Sequence, residues 1–528
     1  HSDLQRRYRR RGVITRADLD DLAHTHRLVP ITRTLFADAE TPVGVYRKLA
    51  GGRPGTFLLE SAEPGASFSR WSFVGVDAIA SLTVVDGEAA WTGSVPAGLP
   101  TGGDPLAVLG EAWRAVKGPR LPGLPPLTGG FVGYLGYDVV RRIERLPDTA
   151  VDELGLPELT MLLVTDLAAV DHHECTVVLI ANALVRAGMS AGELDAAYAD
   201  ATRRLDSMQA ALATPTPPTV ATIGSPPAKQ AVSRTPEGEY QPAVEQALEA
   251  VRAGEVFQIQ VGQRFAVQTT ADPLDVYRVL RTLNPSPYMY FLRTPDVDIV
   301  GCSPEALVSV NDRRAVLHPI AGTRRRGETV ERDAALAAEL VSDPKEQAEH
   351  VMLVDLARND LGRVSAPGSV EVVEFGAVER YSHVWHIVST VESQVAEGKD
   401  AFDVLTATFP AGTLTGAPKV RAMELIDQFE PVRRGVYGGA VGYLDAAGDL
   451  DMAIAIRTAV MRRGVAYVQA SAGIVADSVP ALEEQETHNK ARAVLQAIAT
   501  AETLRPVAEG DAPTVGPGAL ASTVTDHA

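Results

Sequence analysis

The order of strand-like and helix-like segments constrains this chain most, because the two do not alternate. Thr56-Phe57-Leu58-Leu59-Glu60 and Ser72-Phe73-Val74-Gly75-Val76 are strand-like runs punctuated by Gly and Pro. Leu159 to Asn182 reads as two long strands joined at the polar turn Asp171-His172-His173-Glu174, and a helix is expected from Ala191 to Leu212. Further on, the pattern predicts a helix over Glu237 to Arg252, a strand over Val256 to Val267, and mixed elements to about Thr503. A doubly wound parallel sheet needs strands and helices in turn. The expectation is therefore an α+β fold built on large antiparallel sheets flanked by helices.

At 528 residues the chain exceeds what one core usually serves, so two domains are expected. Residues 213–235 are rich in Pro, Thr, Ser and Ala without periodicity and read as a linker. They separate an N-terminal domain, 1–212, from a second domain, 236–505; the polar stretch 506–528 reads as a disordered tail. The formal net charge of -18 argues against nucleic acid as a partner, since phosphates need Lys and Arg. It leaves room for an anionic substrate at a locally basic site. Two cysteines, Cys175 and Cys302, make a disulfide framework unlikely and fit a cytoplasmic protein. No membrane span or signal-peptide core is seen, and Arg6, Arg7, Arg9, Arg10 and Arg11 read as a solvated tail.

Two segments offer carboxylates at helical spacing. Glu346 and Glu349 share a face if Pro344 to Ala357 is helical, with Asp343 as cap; Glu483 and Glu486 follow Pro480 in the same way. A few carboxylates with space for water and substrate oxygens is the usual way of holding Mg²⁺. Either pair alone is more often a solvated helix face, and Lys490, four residues after Glu486, makes a surface ion pair possible. Phe409 to Lys419 is a Gly/Thr loop entering a helix at Pro418, a junction that suits an anion, without the spacing of a Walker loop. Gly129 to Gly136 reads as a bent strand. His172 and His173 receive no role. His386 lies in the strand-like run Ser382 to Val388; a satisfied core histidine is the default there, with acid–base work as the alternative. Arg457, near Tyr437 and Ser471-Ala472-Gly473, suits a carboxylate or an internal acid.

Taken together these segments resemble the chorismate-using enzymes, and within them the anthranilate synthase component I family. The matching stretches are Gly301 to Glu305, Pro319 to Thr323, Glu349 to Leu361, Gly412 to Lys419 and Asp477 to Pro480, in order from about Glu237 to Thr503. Leu58-Leu59-Glu60-Ser61 and the strand at Gly129 extend the match into the first part. The resemblance implies Mg²⁺ held by Glu349 and Glu486, with Glu346 and Glu483 supporting, and chorismate bound through its ring carboxylate. Tyr437, Arg457 and the backbone of Ala472 and Gly473 would hold the enolpyruvyl carboxylate, with Gly322 and Thr323 along the ring and Gln258, Ser471 and Lys490 in the substrate-binding set. Glu305 is placed like the general acid for the departing 4-hydroxyl, His386 like an aid to pyruvate elimination, and Thr413 beside the substrate.

Water-adding relatives carry Lys where this chain has Gln258, and 4-amino-forming relatives carry Lys where it has Ala321. Both differences point to amination at C2, giving anthranilate as the first step of tryptophan biosynthesis. Gln260 and Ser471 depart from the family pattern. One alternative is an enzyme that stops at 2-amino-2-deoxyisochorismate; another is a non-catalytic regulatory protein, which the joint presence of Glu305, Glu349, His386, Arg457 and Glu486 opposes. Neither cysteine lies in an amidotransferase loop, so ammonia is expected from a separate glutamine amidotransferase subunit in a hetero-oligomer. The family's tryptophan-inhibition site maps to Glu60 and Ser61, for the amino group, and to Pro287, Tyr288 and Met289, for the indole.

Overall fold

The computed structural model of the protein describes residues 13–62, 70–217, 220–226, 231–236, 238–380 and 384–507. The arginine-rich start, Glu237, Ser382 and residues 508–528 lie outside the described residues, as does the side chain of Thr323. The expected pair of long strands forms the spine: Leu159–Asp171, buried at every position, turns back into Thr176–Leu184. Such continuous burial means that both faces of this ribbon are covered.

From the spine two sheets diverge, and every strand ladder is antiparallel among the described residues. The long strand Trp71–Val85 carries one sheet on through Thr56–Glu60, Tyr288–Arg293, Asp298–Ser303, Thr458–Arg462 and Val465–Ile474 to Gln258–Gln268. The other runs through Gly130–Leu135, Ala440–Asp445, Leu450–Ile454, Ala306–Asn311 and Arg314–Leu317 to Val384–Gln394, which also pairs Ile320–Arg325 and Glu371–Arg380. Phe57, Phe73, Tyr290 and Ile299 of the first sheet share a core with Val132, Tyr134, Val441 and Tyr443 of the second, so the sheets pack face to face. Helices cover the outer faces: Pro42–Leu49, Ala191–Leu212, Pro273–Leu283 and Pro480–Ala501 on one side, Pro105–Ala115, Pro344–Gly362 and Ala401–Thr408 on the other. This is the α+β class with large antiparallel sheets.

Local signals explain the helix starts. Asp104 and Asp272 cap helices whose first residue is Pro, and Ser190 with Glu193 forms a capping box on Ala191–Leu212. The segment read as a linker contains two short strands: Ala221–Thr222 pairs Arg505–Pro506, and Val232–Ser233 pairs the strand Gln258–Gln268. Arg505 and Pro506 are thereby ordered. The parts before and after 213–235 are joined by two ladders, Thr56–Glu60 with Tyr288–Arg293 and Gly130–Leu135 with Ala440–Asp445.

Candidate active site

The floor of the site is the ladder in which Gln260, Val261 and Gly262 face Gly473, Ala472 and Ser471. A Cβ on Gly473 would come within 2.7 Å of Gln258 Nε2 and 2.9 Å of Gln260 Nε2, so both amides would have to move to admit a side chain there. Gln258 Nε2 donates to Glu349 Oε1 at 3.2 Å, which ties the helix Pro344–Gly362 to this floor. On the opposite side, Lys490 of the helix Pro480–Ala501 donates to the carbonyl of Ser471 at 2.9 Å and pairs with Glu486 at 2.6 Å. Glu483 and Glu486 both act on the buried Tyr240 hydroxyl, which donates to the carbonyl of Val261.

Glu305 stands where the strand Asp298–Ser303 bends into Ala306–Asn311. Thr413, in the short 3-10 turn Gly412–Leu414, donates from Oγ1 to Glu305 Oε1 at 3.0 Å. The residue keeps some surface in contact with solvent, yet the protein packed around its carboxyl pushes it up to about 7; Thr413 and the charge of Lys490 pull the other way. A carboxyl poised there can donate a proton at neutral pH.

His386 faces Thr323 across a ladder that is irregular between Ala321 and Thr323. Gly322, at φ +64°, sits in that irregularity, and a Cβ on it would meet Leu340 at 2.8 Å. Its carbonyl lies 2.8 Å from His386 Nδ1. A carbonyl only accepts, so Nδ1 carries the proton and the neutral ring keeps its basic lone pair on Nε2. Burial holds the imidazole below its ordinary value; the Gly322 bond opposes this and Arg457 reinforces it. Arg457 is partly buried, adopts the left-handed φ of +51°, and makes no ion pair among the described residues.

These contacts link Glu305, Thr413, Lys490, Glu486, Ser471, Gln258 and Glu349 on one side and Gly322, His386 and Arg457 on the other. Glu346 is held by Arg324 at 3.0 Å in a cluster with Asp343, which orients it toward that arginine. Among the described residues no group of three His, Cys, Asp or Glu side chains is placed to hold a metal. Of the two carboxylates expected to hold Mg²⁺, Glu349 touches the floor directly through Gln258, and Glu486 reaches it through Lys490, which donates to the carbonyl of Ser471. Such a set fits a hard cation that takes its remaining oxygens from water and substrate.

Gln260 had no assigned role, and it joins the site through the other unexpected residue. Tyr437 donates from its hydroxyl to Ser471 Oγ at 2.8 Å, and Ser471 Oγ donates to Gln260 Oε1 at 2.7 Å.

A second cavity, of about 440 Å³, opens between the sheets away from this site. Glu60, Ser61, Pro287, Tyr288 and Met289 all line it. Ser61 Oγ is buried with no hydrogen-bond partner among the described residues. The Glu60 carboxylate accepts from Tyr277 and from Arg281 Nε.

The chain matches a family model described as chorismate binding enzyme over residues 56–496. It is 57% identical to anthranilate synthase component 1 of Mycobacterium tuberculosis across 96% of this chain and 98% of that protein. With the Mycolicibacterium smegmatis protein of the same name it shares 58% identity, over 93% and 94% of the two chains. Among solved structures, anthranilate synthase component I from Streptococcus pneumoniae superposes with a TM-score of 0.71 at 36% identity, covering 81% of this chain and 92% of that one. The menaquinone-specific isochorismate synthase of Escherichia coli shares the fold, with a TM-score of 0.64 at 18% identity over 91% and 98% of the two chains.

Proposed function

The chain belongs to the chorismate-binding enzyme family, and within that frame we propose that it is the synthase subunit of an anthranilate synthase. Chorismate is aminated at C2 by ammonia, and pyruvate is then eliminated to give anthranilate, the first step of tryptophan biosynthesis. The observation that carries this reading is the Glu305 carboxyl, raised to about 7 and held by Thr413.

Chorismate is a dianion, and Arg457 with Lys490 and the backbone of Ala472 and Gly473 supplies donors for its carboxylates. Glu349 and Glu486 would hold Mg²⁺, which when bound neutralises the ring carboxylate. Glu305 protonates the 4-hydroxyl as the C4–O bond breaks and water leaves. The C2–N bond forms as the ring double bonds shift, and the added nitrogen gives up its extra proton. In the second stage His386 Nε2 takes the C2 proton while the enolpyruvyl C–O bond breaks; pyruvate departs and the ring becomes aromatic. Ammonia must arrive unprotonated, and we assign its supply to a separate glutamine amidotransferase subunit in a cytoplasmic hetero-oligomer.

The inter-sheet cavity is the proposed site of feedback inhibition by tryptophan. Its size suits an amino acid with an indole, and Ser61 offers an oxygen that lacks a partner among the described residues. Two paired strands support coupling to the chemistry. Ser309 to Asn311 and Leu450 to Asp451 line the cavity, and the other end of this ladder meets Glu305, whose carbonyl accepts from the Ile454 amide at 3.0 Å.

The test is product identification with chorismate, Mg²⁺ and either ammonium or glutamine. Anthranilate with ammonium alone is expected, and glutamine is expected to serve only after the partner subunit is added. Release of 2-amino-2-deoxyisochorismate as the sole product would replace this reading with that of an aminating enzyme without elimination. Absence of any chorismate turnover would favour the non-catalytic alternative.

A further inference from the structure

Glu430 and Arg434 form an ion pair sealed behind the active site, with side chains 3% and 1% exposed. Arg434 Nε and Nη2 donate to Glu430 Oε2 and Oε1 at 2.9 and 2.7 Å, a bidentate geometry. The guanidinium also reaches outward: Nη1 donates to the carbonyl of Leu414 at 2.5 Å and Nη2 to that of Gln260 at 3.3 Å. Glu430 Oε1 accepts from the Gly262 amide at 2.8 Å. The guanidinium carbon lies 4.6 Å from the ring centre of Tyr137 and 5.7 Å from that of Tyr437.

Desolvating two charges is costly, and a well-packed apolar pair often stabilises a core as much or more. The placement of this pair suggests what it does instead. Leu414 directly follows Thr413, the donor to Glu305. Gln260 carries the amide that receives Ser471, and Ser471 receives Tyr437. One guanidinium thus spans the Thr413 turn, the floor strand and the Tyr437 ring. The floor strand lies 174 residues from Arg434 in sequence, and the Thr413 turn about 20.

We propose that the Glu430–Arg434 pair is a positioning element that fixes the Thr413 turn and Tyr437 against the floor strand, so that Thr413 stays on the general acid. It touches neither substrate nor reacting atoms, and the inference rests on the roles given above to Glu305, Thr413 and Tyr437.

Removing one partner would leave a buried unpaired charge, so the chief test is the double variant Glu430→Gln/Arg434→Met. It removes both charges and keeps an acceptor for Gly262. Urea unfolding is compared with kcat and KM for chorismate at a fixed concentration of free ammonia, across a pH series spanning neutrality. The folded variant is expected to lose about 100-fold in kcat, the scale of an ångström displacement of a reacting group. The alkaline limb of its pH profile should move to higher pH, because Thr413 no longer favours the ionised carboxylate. Arg434→Lys keeps the charge but not the fork, and should shift both readouts in the same direction by less. A folded double variant with kcat within about twofold of the parent overturns the proposal, as does a loss of kcat with the pH limb unmoved. If the double variant does not fold, Arg434→Lys decides by the same two readouts. Glu305→Gln is assayed alongside: full turnover in that variant defeats the functional reading itself, whatever Arg434 does.

Discussion

Replacing Glu305 by Gln should make the protein more stable while removing its activity. The carboxyl titrates near 7 in the folded chain, against an ordinary 4.5. Between these points the folded state holds a proton that the unfolded state has released, so stability falls as pH rises from about 4.5 to about 7 and is level above that. The two points lie about 2.5 pH apart, and at roughly 1.4 kcal/mol per pH the ionised group costs at most about 3.5 kcal/mol. Because Glu305 is partly exposed, solvent reduces that figure. Glutamine has nearly the same shape, never ionises, and can still accept from Thr413. In urea unfolding the variant should match the parent near pH 4 and exceed it by up to about 3 kcal/mol at pH 8. Chorismate turnover should fall by at least about 100-fold, the usual size of a general-acid contribution. A variant equally stable or less stable at pH 8, with its activity preserved, would refute both the elevated titration and the assigned role.

His386→Met should slow elimination more than amination, so that 2-amino-2-deoxyisochorismate accumulates on chromatography; unchanged anthranilate output would remove His386 from the mechanism. Glu349→Gln or Glu486→Gln should lower turnover by at least about 100-fold and weaken Mg²⁺ binding by calorimetry, with the unfolding midpoint little changed. Full Mg²⁺-dependent activity in either folded protein would discard the assignment. Ser61→Phe, which fills part of the inter-sheet cavity, should raise the half-inhibitory tryptophan concentration by about tenfold or more at unchanged uninhibited rate. Competition between tryptophan and chorismate for one pocket would place the inhibitor elsewhere.

The elements legible in the sequence were those specified within a few residues. The helix Ala191–Leu212 carries its own capping box, and the hairpin from Leu159 is announced by two apolar runs around a polar turn. Glu305 and Glu349 lie within the stretches that carry the family resemblance, and the structure sets Glu305 against Thr413 and Glu349 against Gln258. What stayed hidden depends on partners far along the chain. Gln260 and Ser471 each looked like an isolated departure, yet they sit 211 residues apart and hydrogen-bond across adjacent strands. A polar residue on one strand had been matched by a polar residue on the next, and no local period records that. Glu430 and Arg434 are four apart, a spacing that reads equally well as a surface pair; only the packing of Tyr137, Leu414 and Gln260 around them makes it a core feature. The linker reading failed in part for the opposite reason. Val232–Ser233 has no pattern of its own and becomes a strand because the edge of Gln258–Gln268 is there to receive it.

The two ladders that cross between the halves of the chain also dictate how it can be assembled. Tyr288–Arg293 cannot complete its pairing without Thr56–Glu60, and Gly130–Leu135 waits for Ala440–Asp445. On the ribosome, the first half emerges with an unfinished sheet edge that is satisfied only once Ala440–Asp445 has been made. Cleaving the chain within residues 213–235 would yield two fragments, each with raw backbone donors and acceptors along its sheet. Such fragments would be expected to aggregate separately and to regain structure on mixing, a complementation experiment in which neither half is a module that can be transplanted by itself.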